Sequence, residues 1–290
     1  MDKPRIGYVG VGLMGFPMLE RLVSLGYPVS AYDIAAEKTA AARAVGARAA
    51  GSPAEAAEGA EFVLLNLPTT EAVEAAALGE NGVWGAVKAP QLVIDFSTIK
   101  PAKAKELAAK LRAATGAGWI DAPVSGGPPA SGSGTLTIMA GGEAQEIARA
   151  RTLFADVGQR FTHLGPVGSG LAAKMINQLF VGCGHALMAE AIVLAESAGL
   201  DAACIPECLG GGLADSNLLQ RFYPRMVRRE FAPQGYVRQL LKDLEMVHEF
   251  AASFKTPTPM TAEAVSLYRM LAHLGHTELD TVALVKLYDG

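Results

Sequence analysis

The sequence predicts a doubly wound, mostly parallel α/β domain over residues 1–165 and an all-α domain over residues 166–290, joined by a long interdomain helix. Three observations carry this expectation. Short apolar strands alternate with helical patterns through the first part of the chain. Strand patterns stop near Gly165-Pro166-Val167-Gly168. From Ser169 to about Ala198 there follows one long helical pattern, which at 1.5 Å per residue runs roughly 45 Å.

The elements follow in order. Residues 4–9 read as a strand, and the glycine cluster Gly10 to Gly15 opens a helix through Leu19, Leu22, Val23 and Leu25. Gly26 stands where a C-terminal cap belongs. Val29 to Tyr32 is a strand ending on Asp33, and Ala35 to Val45 is helical. Phe62 to Leu67 and Leu92 to Phe96 are continuous apolar runs, as expected of parallel strands covered on both faces. Pro101 to Arg112 is helical with proline in its first turn. Trp119 to Ala122 and Leu136 to Ala140 are strands, and Glu143 to Phe154 is a helix. In the long helix, Lys174, Asn177, Gln178, His185 and Glu190 interrupt the apolar run.

Composition narrows the function classes. Half of the 290 residues are apolar and 19% are charged, which excludes a disordered chain. The net charge of -4 gives no electrostatic footprint for nucleic acid. Polar residues break every apolar stretch before the ~20 residues a membrane span needs, so no membrane partner is expected. The first ten residues lack the apolar centre of a secretory leader. Three cysteines imply no disulfide framework, and a reducing cytoplasm is the expected compartment. The five histidines are scattered and Cys204-x-x-x-Cys208 has no partner pair, so no metal is expected.

The 32 glycines cluster, and the clusters carry the chemistry. Gly10-x-Gly12-x-x-Gly15 alone is a weak signal, but here it follows a strand, opens a helix and is followed 18 residues later by Asp33. Gly10 allows the tight turn, Gly12 lets the backbone approach a pyrophosphate, and Gly15 lets helix and strand pack closely. Leu13 and Met14 lie within that turn, whose free N–H groups face the phosphates. Asp33 accepts from ribose hydroxyls and repels a 2′-phosphate, so NAD is expected over NADP. Leu67-Pro68-Thr69 and Ser97-Thr98 stand at carboxyl ends of strands, where open sheets bind ligands. Singly, Ser97 and Thr98 are more often helix caps than ligands.

Ser125-Gly126-Gly127 exposes consecutive N–H groups beside a hydroxyl, an arrangement suited to a carboxylate. Standing alone it reads as a flexible turn. Lys174, Asn177 and Gln178 share one helix face at i, i+3 and i+4. A lysine in an apolar helix is costly unless paired or useful, and desolvation brings its amine toward the range of an acid/base catalyst. Without the glycine motif, a snorkelling surface lysine is the better reading. Lys242-Asp243, taken alone, reads as a solvated helix face.

Together these motifs resemble the β-hydroxyacid dehydrogenase family, which includes 3-hydroxyisobutyrate dehydrogenase and tartronate semialdehyde reductase. The resemblance rests on six ordered segments: Gly10 to Met18, Asp95 to Thr98 with Pro101, Asp121 to Gly127, Gly134 to Met139, Gly168 to Gln178, and Lys242 to Leu244. It implies a Rossmann domain, an all-helical domain and an active site between them. It further implies that Lys174 is catalytic, assisted by Asn177. Ser125, Gly126 and Gly127 would hold the substrate carboxylate, with Gln178 orienting the substrate. Thr98 and Lys242 would lie on the nicotinamide side. Family members generally form homodimers or homotetramers. The pattern is departed from at Ala130-Ser131, where the family often has Gly-Ala, and between Tyr236 and Lys242, which is one residue short.

The expected reaction is NAD-dependent, reversible oxidation of a short 3-hydroxy acid to its semialdehyde. Reduction of tartronate or succinate semialdehyde uses the same residues. A phosphosugar dehydrogenase would need a phosphate clamp, for which Arg221, Arg225, Arg228 and Arg229 are the candidates, although that run reads as a solvated helix face. A catalytically silent NAD(P)-binding module is the reading from a different class, against which the retention of Lys174 and Asn177 argues.

Overall fold

The computed structural model describes residues 3–289 and forms two compact units, Met1–Lys174 and Met175–Gly290. The first is built on a six-stranded sheet, β1 (Ile6–Val9), β2 (Val29–Tyr32), β3 (Arg48–Ala49), β4 (Phe62–Leu65), β5 (Leu92–Asp95) and β6 (Gly118–Asp121). Every pairing is parallel and the order is β3-β2-β1-β4-β5-β6. β1, β4, β5 and β6 are buried along their whole length, because helices cover both faces. One core joins β1, β4 and β5 to Met18, Leu19 and Leu22, and the other joins the same strands to Leu107, Leu111 and Trp119.

The helices of this unit are α1 (Gly15–Ser24), α2 (Ala36–Ala44), α3 (Pro53–Ala57), α4 (Thr70–Leu78), α5 (Pro101–Thr115), α6 (Gly127–Ser133) and α7 (Ala144–Val157). Gly26 takes the left-handed conformation (φ +82°) just past α1, as its position in the sequence requires. A second sheet, absent from the sequence reading apart from its middle strand, joins β7 (Val124–Ser125), β8 (Leu136–Ala140) and β9 (Gly158–His163). Its β7–β8 pair is antiparallel and its β8–β9 pair parallel. β7 thereby fixes Val124 and Ser125 beside Thr137 and Ile138.

α8 (Ser169–Ser197) starts in the first unit and ends in the second. By length and hydropathy alone it reaches the threshold of a membrane span, more than the sequence reading allowed, although 44% of its most apolar window is buried by protein. The second unit continues with α9 (Ile205–Leu209), α10 (Asn217–Val227), α11 (Val237–Ser253) and α12 (Pro259–His273). Within it, Gly182 faces the Leu244 side chain of α11 and Gly184 faces Leu218 of α10. A buried ion pair, Arg225 to Asp280 at 3.2 Å, pins α10, and the Asp280 carboxylate also accepts the N–H groups of Gln234 (2.5 Å) and Val282 (3.1 Å). The arginine run is therefore not a uniformly solvated face. Arg228 pairs with Glu230 and Arg229 with Asp289, so these two are committed to carboxylates of the chain itself.

Candidate active site

In the first unit the glycine turn sits at the carboxyl end of β1. Gly10 has φ +100°, and a Cβ there would strike the Asn66 carbonyl; one at Gly15 would strike the carbonyl of Gly10. Around Gly12 a Cβ would meet nothing within 4 Å, so open space lies where a pyrophosphate would approach the backbone. Asp33, at the tip of β2, accepts the Val11 N–H (2.7 Å) through Oδ2 and the Ala35 N–H (2.9 Å) through Oδ1. Each oxygen keeps a lone pair for a ribose hydroxyl. Leu13 and Met14 are half-buried beside the turn. The residues present thus fit a dinucleotide.

The neighbouring strand ends are built around Ser97. It is buried, its Oγ accepts the Leu67 N–H (2.8 Å), and its own N–H reaches Asp95 Oδ1 (2.9 Å). Ser97 thus ties the end of β4 to the end of β5. Thr69 caps α4 by accepting the Ala72 N–H at 3.1 Å. Leu67 packs against Gly10, with its Cδ2 2.9 Å from a Cβ placed there, and Thr98 is half-buried one residue after Ser97. Ile34, which the sequence reading passed over, is almost fully exposed immediately beyond Asp33.

The acid-binding candidates follow β6. Ser125 ends β7, and Gly126 and Gly127 adopt consecutive positive φ values of 136° and 72°. A Cβ at Gly126 would lie 2.6 Å from that of Ala130, so only glycine fits there. Lys174 is 8% exposed, and its Nζ donates to the Val124 carbonyl at 2.9 Å. The bland alternative, a lysine snorkelling to solvent, does not hold. This contact sets the amine beside the residue that precedes Ser125.

The start of α8, the helix that carries Lys174, is anchored by Asp121, whose role sequence reasoning missed. Its buried carboxylate accepts the N–H groups of Gly168 (2.7 Å) and Leu171 (2.8 Å), at the first turn of α8. Burial pushes its carboxyl up to about 6, against the opposing pull of these backbone donors. Gly170 is required by the same junction, since a Cβ there would strike the Met139 carbonyl.

In the second unit, Asn177 Nδ2 donates to Gln178 Oε1 (2.8 Å) and Gln178 Nε2 donates to Asp243 Oδ2 (2.6 Å). Lys242 Nζ lies 3.0 Å from Asp243 Oδ1. Asp243 is buried, so Lys242-Asp243 is not the solvated face its sequence suggested. His185 is also buried. Tyr268 Oη donates to the Thr281 carbonyl (2.9 Å), so it accepts from His185 Nδ1 (3.1 Å), and burial lowers the imidazole to about 4. His185 is a neutral packing residue. Among the described residues no three His, Cys, Asp or Glu side chains cluster as a metal site.

A parallel sheet in this order, closed by a glycine turn and an acidic strand end, defines a Rossmann-type dinucleotide-binding protein. Residues 5–165 match the family model of the NAD binding domain of 6-phosphogluconate dehydrogenase, and residues 168–288 match that described as NAD-binding of NADP-dependent 3-hydroxyisobutyrate dehydrogenase. NAD-dependent L-serine dehydrogenase of Pseudomonas aeruginosa is 35% identical, over 98% of each chain. Mitochondrial 3-hydroxyisobutyrate dehydrogenase of Bos taurus is 35% identical over 96% of this chain and 85% of its own. A solved structure of Mycobacterium tuberculosis 3-hydroxyisobutyrate dehydrogenase with L-serine has a TM-score of 0.89 at 29% identity, covering 99% of this chain and 100% of that one. The chain belongs to the β-hydroxyacid dehydrogenase family, and it is an oxidoreductase acting on the CH–OH group of its donor.

Proposed function

We propose that this enzyme oxidises a 2-substituted 3-hydroxypropionate reversibly to its semialdehyde, with NAD as the cofactor. 3-Hydroxyisobutyrate and serine, named for its relatives, share that core and differ only in the group on C2. The observation that carries the reading is the bond from Lys174 Nζ to the Val124 carbonyl, which sets an amine next to the Ser125–Gly127 loop. Ser125 with the N–H groups of Gly126 and Gly127 holds the carboxylate, and so fixes the carbinol carbon, a proximity effect. Lys174, as the neutral amine, takes the hydroxyl proton while a hydride leaves the same carbon; in the reverse direction its ammonium protonates the forming alkoxide. The bound nicotinamide supplies the hydride acceptor. For Asn177 and Gln178 the family resemblance supports a role in orienting the acid, and for Lys242 one toward the nicotinamide.

Gly10, Gly12, Leu13, Met14 and Gly15 hold the pyrophosphate, with Leu67, Pro68 and Thr98 along the ribose and nicotinamide. Asp33 supports NAD over NADP, because its carboxylate repels a 2′-phosphate, and Ile34 offers an apolar face to the adenine. The reading includes a reducing, cytoplasmic setting, supported by three free cysteines, and a homo-oligomer, supported by an exposed apolar stripe on α8. Replacing Lys174 by Ala tests the core of it. The variant is expected to bind NAD with unchanged affinity by fluorescence titration while turnover of 3-hydroxyisobutyrate or serine falls about 10²–10⁴-fold. A variant with full turnover refutes the assignment.

A further inference from the structure

The acid-binding loop and the dinucleotide turn come from separate parts of the first unit, and one buried hydroxyl joins them. Ser131 lies in the middle of α6, is 0% exposed, and donates from Oγ to the Met14 carbonyl at 2.9 Å. Met14 is the residue that caps α1 and belongs to the Gly10–Gly15 turn. α6 begins at Gly127, the last residue of the loop. Pro128 and Pro129 fix the backbone of its first turn, so loop and helix move as one block.

The surrounding packing is shaped to the same end. A Cβ at Gly132 would lie 3.5 Å from Pro17 of α1, and one at Gly134 would strike the Arg21 side chain. Small residues thus let α6 lie directly along α1. Ser131 makes a polar contact across that seam. A buried hydroxyl is retained at a cost unless its bond is made, so its partner is specific.

We propose that Ser131 is a positioning residue, whose bond to Met14 sets the substrate loop in register with the dinucleotide turn. The inference rests on the functional reading above. It follows that the two binding events are coupled through this bond, because ordering either loop orders the other.

The Ser131→Ala variant tests this by binding and by rate. Isobutyrate, which lacks the hydroxyl and cannot be oxidised, serves as the carboxylate probe. In the native protein a saturating level of isobutyrate is expected to tighten NAD binding several-fold by calorimetry. In Ser131→Ala that coupling is expected to fall to about one, with NAD affinity alone changed less than twofold. Turnover of 3-hydroxyisobutyrate is expected to drop about five- to tenfold, with the deuterium isotope effect on kcat raised and, at saturating NAD, KM for the acid raised by the several-fold factor of the lost coupling. Ser131→Cys, which keeps a weak donor, is expected to recover part of the coupling. If Ser131→Ala keeps both native coupling and the native isotope effect, and loses only melting temperature, Ser131 is structural and the inference is overturned. A native protein that oxidises no 3-hydroxy acid overturns this inference together with the functional reading.

Discussion

Asp121 shows what one residue decides in this fold. Its carboxylate is buried at the end of β6 and accepts two N–H groups from the start of α8, and Lys174 stands one turn beyond Leu171. Because its folded value is raised from 3.8 to about 6, the folded state favours the protonated form. The stability this contributes is fully present below about pH 3.8 and is lost as pH rises through about 6. A shift of this size corresponds to about 3 kcal/mol. Asp121→Asn cannot ionise and lacks that dependence. It has one acceptor oxygen for two donors, which carries a pH-independent cost of about 1–3 kcal/mol. Denaturant unfolding of both proteins at pH 4.5 and 7.5 is therefore expected to show the variant gaining on the native protein as pH rises. A constant difference between the two pH values excludes the raised carboxyl.

At the scale of elements, α8 is a rod whose close approaches differ in tolerance. A Cβ at Gly182 would strike Leu244 Cδ2 and lie 2.8 Å from Cδ1 and 3.0 Å from Cγ, the whole branched end of the side chain. No single rotation relieves all three. A Cβ at Gly184 would strike only Leu218 Cδ2, with Cγ at 3.7 Å, and one methyl can swing away. Alanine in a helix is favoured over glycine by up to about 1 kcal/mol, whereas overpacking costs about 1–3 kcal/mol. Gly182→Ala is thus expected to lower stability by about 1 kcal/mol or more, and Gly184→Ala to leave it within about 0.5 kcal/mol of native or raise it. Thermal melts of the two variants check the contrast, and equal effects would defeat it. The same elements show what a sequence can reveal. The central strands of the large sheet are continuous apolar runs, and α8 stands out by its length, so both were legible. β9 was not, because Gly-Gln-Arg-Phe-Thr-His at a mostly exposed sheet edge carries no apolar pattern. Lys174 and the Ser125–Gly127 loop were legible as local motifs. Asp121 and Asp243 were not, because their partners lie 47 to 65 residues away and only folding brings them together. Ser131 was visible as a departure from the family pattern, but its partner Met14, 117 residues away, was not.

For the molecule as a whole, exposed apolar surface is unevenly shared. Among the described residues three large apolar side chains are exposed in the first unit, Ile34, Leu78 and Leu164, and ten in the second. Four of the ten, Ile176 (59% exposed), Phe180 (70%), Leu187 (57%) and Leu194 (71%), follow one another on α8 at spacings of four and seven residues. That spacing puts them on one face of the helix, in a stripe roughly 27 Å long. An apolar stripe of this length is the surface that the proposed homo-oligomer would bury. A second copy of the chain presents the same stripe, and helix against helix about a two-fold axis satisfies both copies at once. Sedimentation velocity of the native protein at micromolar concentration is expected to give a dimer or a multiple of it. Phe180→Glu places a charge in the middle of the stripe, where burying it unpaired is costly, and is expected to shift the distribution toward the single chain. Its fold, read by circular dichroism, should be unchanged, because Phe180 is already exposed within the chain. A native protein that sediments only as a monomer removes the interface, and leaves the stripe as a liability the fold tolerates.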